Sequence, residues 1–368
     1  DRAMALALEG DVLYAGCGPQ LVVFDVKEPL APRRLGAVGG FGEIRQIAAE
    51  KGMAYVATRE SGLWIVDASD PARPRVRSRF DCCELATGVD VAGDVVFLGQ
   101  RQNGVEFIDV SDPDRPAHIA MRKTDESQSV KYRDGYLYSG EWGGGAVEVF
   151  DARDLKTFRP IGHLRLGGFG DGLEIDGDVL YCSTGHDAKH HRAKAVKDRH
   201  GAGRGLDIFS LADPAQPKWI SRVDFPVFTP RNEDFWTPRV ACGLAFCCDS
   251  HNGLFVVDVK DPARPTVVDR FCVPQGGEGV AVGCDQFLRN WRGVRLRDVV
   301  SGRAVGPAGR GREAAGAAEG DAARPPRFPR ALSDGHGGVP RVPSGGSRPG
   351  AHGRGARRHR LRGVRRRG

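Results

Sequence analysis

The hexapeptide Leu21-Val22-Val23-Phe24-Asp25-Val26 decides how the chain is read, because the sequence keeps returning to it. It recurs as Leu63-Trp64-Ile65-Val66-Asp67-Ala68, Val105-Glu106-Phe107-Ile108-Asp109-Val110 and Val147-Glu148-Val149-Phe150-Asp151-Ala152. The aspartates fall at 25, 67, 109 and 151, a spacing of 42 residues each time. Looser copies stand at Leu206–Leu211 and Leu254–Val259, and a worn one at Val294–Val299. A fixed period of this length marks a repeat architecture, in which one unit cannot bury its own apolar faces and leans on its neighbours.

Each period reads as four short strands, most clearly over residues 84–125. Thr87 to Ala92 alternates, and Gly93-Asp94 supplies a tight antiparallel turn. Val95 to Leu98 is a second strand, Val105 to Val110 a third, and Ala117 to Arg122 a fourth, polar enough to be an outer edge. The third strand runs into a turn led by Asp70-Pro71, Asp112-Pro113, Asp213-Pro214 or Asp261-Pro262, with a second proline at Pro74, Pro116, Pro217 or Pro265. The first copy has Glu28-Pro29 and Pro32 instead, and the fourth has lost its proline. Proline fixes φ for the turn, and aspartate bonds forward to backbone N–H groups. The aspartate ending each third strand is therefore read as a turn cap, not as a catalytic group. Leu63 to Val66 is apolar without alternation, as expected where both faces of a strand are covered. The pattern predicts an all-β fold: a seven-bladed β-propeller of four-stranded antiparallel blades over residues 1–300.

The core Leu/Val-Val-Ile/Val-Asp, followed by Asp-Pro-x-x-Pro, resembles the LVIVD repeat family of bacterial β-propellers over roughly residues 3–300. The resemblance implies the fold and an exported or cell-surface setting. It implies no shared activity.

The formal net charge of +7 is unevenly spread. Residues 301–368 hold 16 Arg, no Lys and 4 acids, a balance of +12, which leaves residues 1–300 at −5. A mildly acidic body argues against nucleic acid as its partner. The Arg/Gly/Pro/Ala-rich tail cannot bury a core and is expected to be disordered. It is either a genuine anion-contacting tail or out-of-frame translation of a GC-rich gene. The second is preferred, because the seventh motif decays just before the tail begins. The chain opens at Asp1 inside a strand-like pattern, so any targeting segment would lie upstream. The outer strand of the last blade would fall in the tail. An incompletely closed ring is expected, with a weak seam between residues 1–30 and 285–300. Nine cysteines form no metal or disulfide framework, and the adjacent pairs Cys82-Cys83 and Cys247-Cys248 cannot each put both thiols on one sheet face. No apolar run reaches the roughly 18 residues of a membrane span.

Two departures break the period. Asp151 to Ser210 is 59 residues, the excess lying between His186 and Gly205, and Ser210 to Asp258 is 48, the excess lying between Pro226 and Trp236. Both lie in connections that leave the same rim of an up-and-down blade, and insertions on one face of a repeat array often mark its binding surface. The candidate ligand-binding residues are those of that rim: Arg59, Glu60, Arg101, Gln102, Glu141, Trp142, His186, Asp187, Glu233, Asp234, Trp236, Asp249, His251 and Trp291. Tryptophans among short polar loops suit a carbohydrate or peptide site. The cluster His186, Asp187, His190, His191 and His200 is interleaved with Lys and Arg and matches no metal-ligand spacing, so a solvated basic loop with no metal or cofactor is expected, and a metal-binding propeller through this loop is the third possibility. No Gly-x-Ser-x-Gly or phosphate-loop motif is present. The leading expectation is a non-catalytic binding or scaffold protein for a glycan or a protein. The alternative is a carbohydrate-active hydrolase or lyase using rim carboxylates and histidines.

Overall fold

A computed structural model describes residues 3–29, 31–169, 172–185, 203–226, 237–249 and 252–271. The chain divides into two units, Asp1–Ala308 and Gly309–Gly368, and every described residue belongs to the first. The described residues form six sheets, each of four antiparallel strands taken in chain order. Blade 1 comprises β1 (Ala3–Glu9), β2 (Val12–Cys17), β3 (Gln20–Asp25) and β4 (Arg33–Gly39); blade 2 comprises β5 (Ile44–Glu50), β6 (Met53–Thr58), β7 (Gly62–Asp67) and β8 (Arg75–Phe80). Blade 3 holds β9 (Gly88–Ala92), β10 (Val95–Gln100), β11 (Gly104–Asp109) and β12 (Ala117–Arg122), and blade 4 holds β13 (Ser127–Arg133), β14 (Tyr136–Glu141), β15 (Ala146–Asp151) and β16 (Arg159–Arg165). Blade 5 is β17 (Gly172–Asp176), β18 (Val179–Thr184), β19 (Gly205–Ser210) and β20 (Lys218–Asp224), and blade 6 is β21 (Arg239–Ala241), β22 (Leu244–Asp249), β23 (Gly253–Asp258) and β24 (Thr266–Phe271).

Each first strand lies against the first strand of the next blade, from β1 on β5 to β17 on β21. A straight stack would do the same. Gln46 Nε2 of blade 2, however, donates to Thr237 Oγ1 at the start of blade 6 (3.3 Å), and one cavity is lined by all six first strands. The sheets therefore stand around an axis, as a β-propeller. Apolar clusters join blades 1 and 2, 2 and 3, 3 and 4, 4 and 5, and 5 and 6. Successive residues of one third strand serve two of them: Leu63 and Ile65 face blade 3, whereas Trp64 and Val66 face blade 1. That is why the stretch is apolar without alternation. A sixth cluster, including Phe246, Leu254 and Val256, lies on the other face of blade 6.

Among the described residues six blades stand, not the seven counted from the sequence. The seventh copy, Val294–Val299, lies outside the described residues, as do residues 285–300 of the expected seam and the tail. That copy is also chemically unlike the others. It places Arg297 where they carry Phe24, Val66, Ile108, Phe150, Phe209 and Val257, and no Asp-Pro turn follows it. A motif count overlooks both differences.

The third-strand cap forms in all six blades. Oδ1 of Asp25, Asp67, Asp109, Asp151 and Asp258 accepts from the backbone N–H two residues on, at 2.9–3.3 Å, and Ser210 Oγ does the same from Ala212. A second such bond closes the following turn at Asp70, Asp112, Asp154, Asp213 and Asp261. Cys247 and Cys248 point to opposite faces of β22, into the fifth and sixth clusters just described. Cys242 is disulfide-bonded, which the cysteine spacing did not suggest.

Candidate functional site

The loop face carries the second-to-third-strand loops and the connections between blades. On blades 3 and 4 it holds a continuous polar network. The β10–β11 loop turns at Arg101, whose φ of +40° is rarely adopted by residues with a side chain, and this directs its guanidinium across to blade 4. Arg101 Nε donates to Glu126 Oε1 (2.6 Å), Glu126 N to Glu141 Oε2 (2.7 Å), and Ser139 Oγ to Glu141 Oε1 (2.6 Å). Trp142 N donates to Glu126 O (3.0 Å), which sets the half-buried indole beside the network. Three candidates, Arg101, Glu141 and Trp142, thus meet at one place. The exposed Gln102 adjoins them, its backbone N–H held by Glu84 Oε2 (2.6 Å). Arg59 lies apart on blade 2, with Glu43 at 3.7 Å and the exposed Glu60 next to it.

Glu141 is only 1% exposed, and burial pushes its carboxyl up despite the hydrogen bonds from Ser139 and Glu126. Both its oxygens are already engaged by the protein, so it is held as a structural acceptor. Asp249, fully buried, is used in the same way: Asn252 N and Nδ2 donate to its two oxygens at 2.8 and 3.1 Å and close the β22–β23 loop. His186, Asp187, Glu233, Asp234, Trp236, His251 and Trp291 lie outside the described residues. Among the described residues no group of three His, Cys, Asp or Glu stands close enough to hold a metal ion. Nor is any helix there long and apolar enough to cross a membrane.

The roots of the two insertions are described, and they are joined. Arg204, at the end of the first insertion, donates from Nε to Phe225 O (2.9 Å), and Phe225 N, just before the second, donates to Arg204 O (3.3 Å). Gly185, on the other side of the first insertion, donates to Phe169 O (2.6 Å). Beneath them lies a buried ion pair, Arg222 Nη1 to Asp207 Oδ2 at 2.5 Å, with side chains 3% and 0% exposed. Asp207 also accepts from Gly167 N (2.7 Å), and Arg222 Nη2 donates to Thr184 Oγ1, the last residue of β18 (3.0 Å). Sequence reasoning missed Glu126, Asp207 and Arg222. The available signal was a charged residue inside a third strand otherwise written in apolar letters, at Glu106, Glu148 and Asp207 of three successive blades.

Six four-stranded antiparallel sheets around an axis, with a uniform turn face and a divergent loop face, define a β-propeller repeat protein. The chain matches the LVIVD repeat at residues 41–82, 85–121 and 240–273. Among solved structures the chain is similar to the RRP9 WD40 repeats (TM-score 0.59, 8% identity, 77% of this chain and 85% of that one). It is also similar to a protein from Lactobacillus plantarum (TM-score 0.57, 12% identity, 74% and 86%) and to Saccharomyces cerevisiae Sqt1 (TM-score 0.52, 10% identity, 75% and 76%). Likeness at such identities speaks to the fold alone. No curated protein matches the sequence.

Proposed function

We propose that the protein is a non-catalytic binding or scaffold propeller whose ligand, a glycan or a protein, is engaged by the loop face that bears the two insertions. The observation that carries this reading is the double hydrogen bond between Arg204 and Phe225, which fixes the roots of both insertions to each other on one rim. Rigid roots under long connections are how scaffolds present recognition loops. The Arg101–Glu126–Glu141 network adds a charged, aromatic-flanked patch to the same face. The non-catalytic form is favoured over the hydrolase because Glu141 and Asp249 have their oxygens occupied by protein donors. An exported setting fits the disulfide at Cys242, since such bonds persist in oxidising compartments.

A glycan array and a panel of surface proteins, probed with the full chain and with Arg101→Ala, test the reading. Binding weakened by Arg101→Ala without turnover supports it. Release of product from a polysaccharide, abolished by Glu233→Gln, would replace it with the hydrolase. Binding that survives both Arg101→Ala and replacement of residues 188–200 by a short Gly-Ser linker would remove it.

A further inference from the structure

The first strands hold a second constellation, away from the loop face. Counting three residues back from each β-hairpin turn gives Ala7, Ala48, Asp90, Lys131, Glu174 and Arg239, one from each blade at the same level of the ring. All six line the central cavity, whose volume is about 290 Å³. That is the space of about ten water molecules. Four consecutive blades thus present alternating charges, while blades 1 and 2 present only methyl groups. Two levels down, Gln46 bars the channel. Its Oε1 accepts from Val89 N (2.7 Å) and its Nε2 donates across to Thr237 (3.3 Å), so the cavity has a polar floor on the loop side.

The charges are not evenly satisfied. Glu174 serves two cations, Arg239 Nη1 at 2.8 Å and Lys131 Nζ at 3.5 Å. Asp90 accepts from Tyr132 N (2.8 Å) and among the described residues makes no ion pair. Burial pushes its carboxyl up, with Lys131 pulling only partly the other way. Glu50, which also lines the cavity, is engaged by Gly93 N (2.9 Å) and Lys51 (3.3 Å). In blade order, Asp90 flanks the methyl wall beside Ala48, and Arg239 of blade 6 lines the same cavity. A carboxylate short of a cation and a guanidinium with donors to spare therefore share one cavity with a small apolar strip.

We propose that the central cavity is a binding site for a small amino-carboxylate zwitterion, its ammonium group on Asp90, its carboxylate on Arg239 and its carbon chain along Ala7 and Ala48. Each end would form a charge-assisted hydrogen bond in a partly desolvated cavity, where such bonds are strongest. Blades 1 and 2 leave room for the chain because their residues at this level are alanine. This site does not rest on the loop-face reading, and either can fail alone.

Isothermal titration of the full chain with ω-amino acids from glycine to 6-aminohexanoate tests it, with butylamine and butyrate as half-ligands. Affinity should peak at one chain length, and each half-ligand should bind at least about tenfold more weakly. Asp90→Asn and Arg239→Gln should each weaken the best ligand by about tenfold or more, and Ala7→Leu should block it by filling the strip. Circular dichroism checks that each variant is folded, and Lys156→Ala, at an exposed turn, should leave binding unchanged. The proposal is overturned by absence of binding across the series, by half-ligands that match the zwitterions, or by undiminished binding in folded Asp90→Asn or Ala7→Leu.

Discussion

Replacing Arg222 by Met should destabilise blade 5 more than any change on the exposed surface. Arg222 and Asp207 face each other across β19 and β20, 2.5 Å apart, with side chains 3% and 0% exposed. Without the guanidinium, Asp207 keeps only Gly167 N (2.7 Å) and the indole of Trp219 (3.4 Å) as its described donors. Breaking a buried pair by removing one partner costs about 3–5 kcal/mol, because a desolvated charge is left behind. Removing both, as Asp207→Leu with Arg222→Met, should recover most of that loss. About 1 kcal/mol would remain for the unpaired Gly167 N–H. Trp219 touches the pair, so urea titration followed by tryptophan fluorescence reads the site directly. The deficit of Arg222→Met should also depend on pH in a fixed direction. Burial already raises the Asp207 carboxyl, and loss of Arg222 raises it further, so the folded state binds a proton more readily than the unfolded chain. Stability is then lost as pH rises through the raised value, and the variant should approach the wild type as pH falls back through it. A loss below about 1 kcal/mol, or a double variant whose loss is the sum of the singles, would refute the reasoning.

Asp67 has the opposite sign. Ser69, then Arg75, hold its carboxyl well below the ordinary value, so its contribution is complete above about pH 4 and lost as pH falls through the lowered value. Asp67→Asn keeps the acceptor for Ser69 but loses the charge facing Arg75. It should cost roughly 1 kcal/mol at neutral pH, after allowance for solvent screening of the exposed Arg75, and should flatten the acid limb of a stability–pH curve. Two glycines separate crowding from backbone conformation. A Cβ on Gly88 would stand 2.7 Å from Ser129 Cα and 2.8 Å from Gln128 O, backbone atoms of the next blade, so Gly88→Ala should cost about 1–3 kcal/mol in a urea titration. Gly93, at φ +59° with nothing within 4 Å, should lose only about 1 kcal/mol on the same change.

The blades were legible because their signals are local. Gly93-Asp94 names a two-residue hairpin, and Asp70-Pro71 names a turn whose Oδ1 accepts from Ala72 N (3.1 Å). Blade 3 shows the accuracy reached: Ala117 to Arg122 is β12 as expected, and the other three strands shift by one or two residues at their ends. The sites were less legible because they depend on which blade stands beside which. Arg101, Glu141 and Trp142 were chosen as loop residues, but the residue that joins them, Glu126, precedes β13 and belongs to no loop motif. The channel ring escaped for a different reason. Asp90, Lys131, Glu174 and Arg239 differ in chemistry from copy to copy, so a search for repeated letters passes over them. Aligning the repeats on the hairpin turn instead of the third strand would have brought four charges into one column.

The blade that breaks the rule shows why the turn face is so regular. Three of the four Asp-Pro turns do more than end their own third strand, because the proline carbonyl also receives a hydroxyl from the preceding blade. Ser78 Oγ donates to Pro113 O (2.6 Å), Tyr138 OH to Pro214 O (2.9 Å) and Ser221 Oγ to Pro262 O (2.5 Å). A change in such a turn is felt in two blades, which ties the turn chemistry to the ring. Blade 4 has Asp154-Leu155 in place of Asp-Pro, and blade 3 reaches it by another route. Arg122 Nε donates to Phe158 O (3.2 Å), while the Phe158 ring stacks on Phe107 of blade 3 with centroids 4.0 Å apart and meets Phe150 edge-on. An aromatic contact of this kind is worth about 0.5–1.5 kcal/mol beyond its buried area, comparable with the net value of the hydrogen bond it stands in for. Among the described residues, the partners of the opposite face's loops differ from blade to blade, so their length and chemistry can diverge without opening the ring. Where partners do occur there, between Arg101 and Glu126 and between Arg204 and Phe225, they join residues outside the repeat motif, as expected of contacts that hold a particular surface and not the repeat itself.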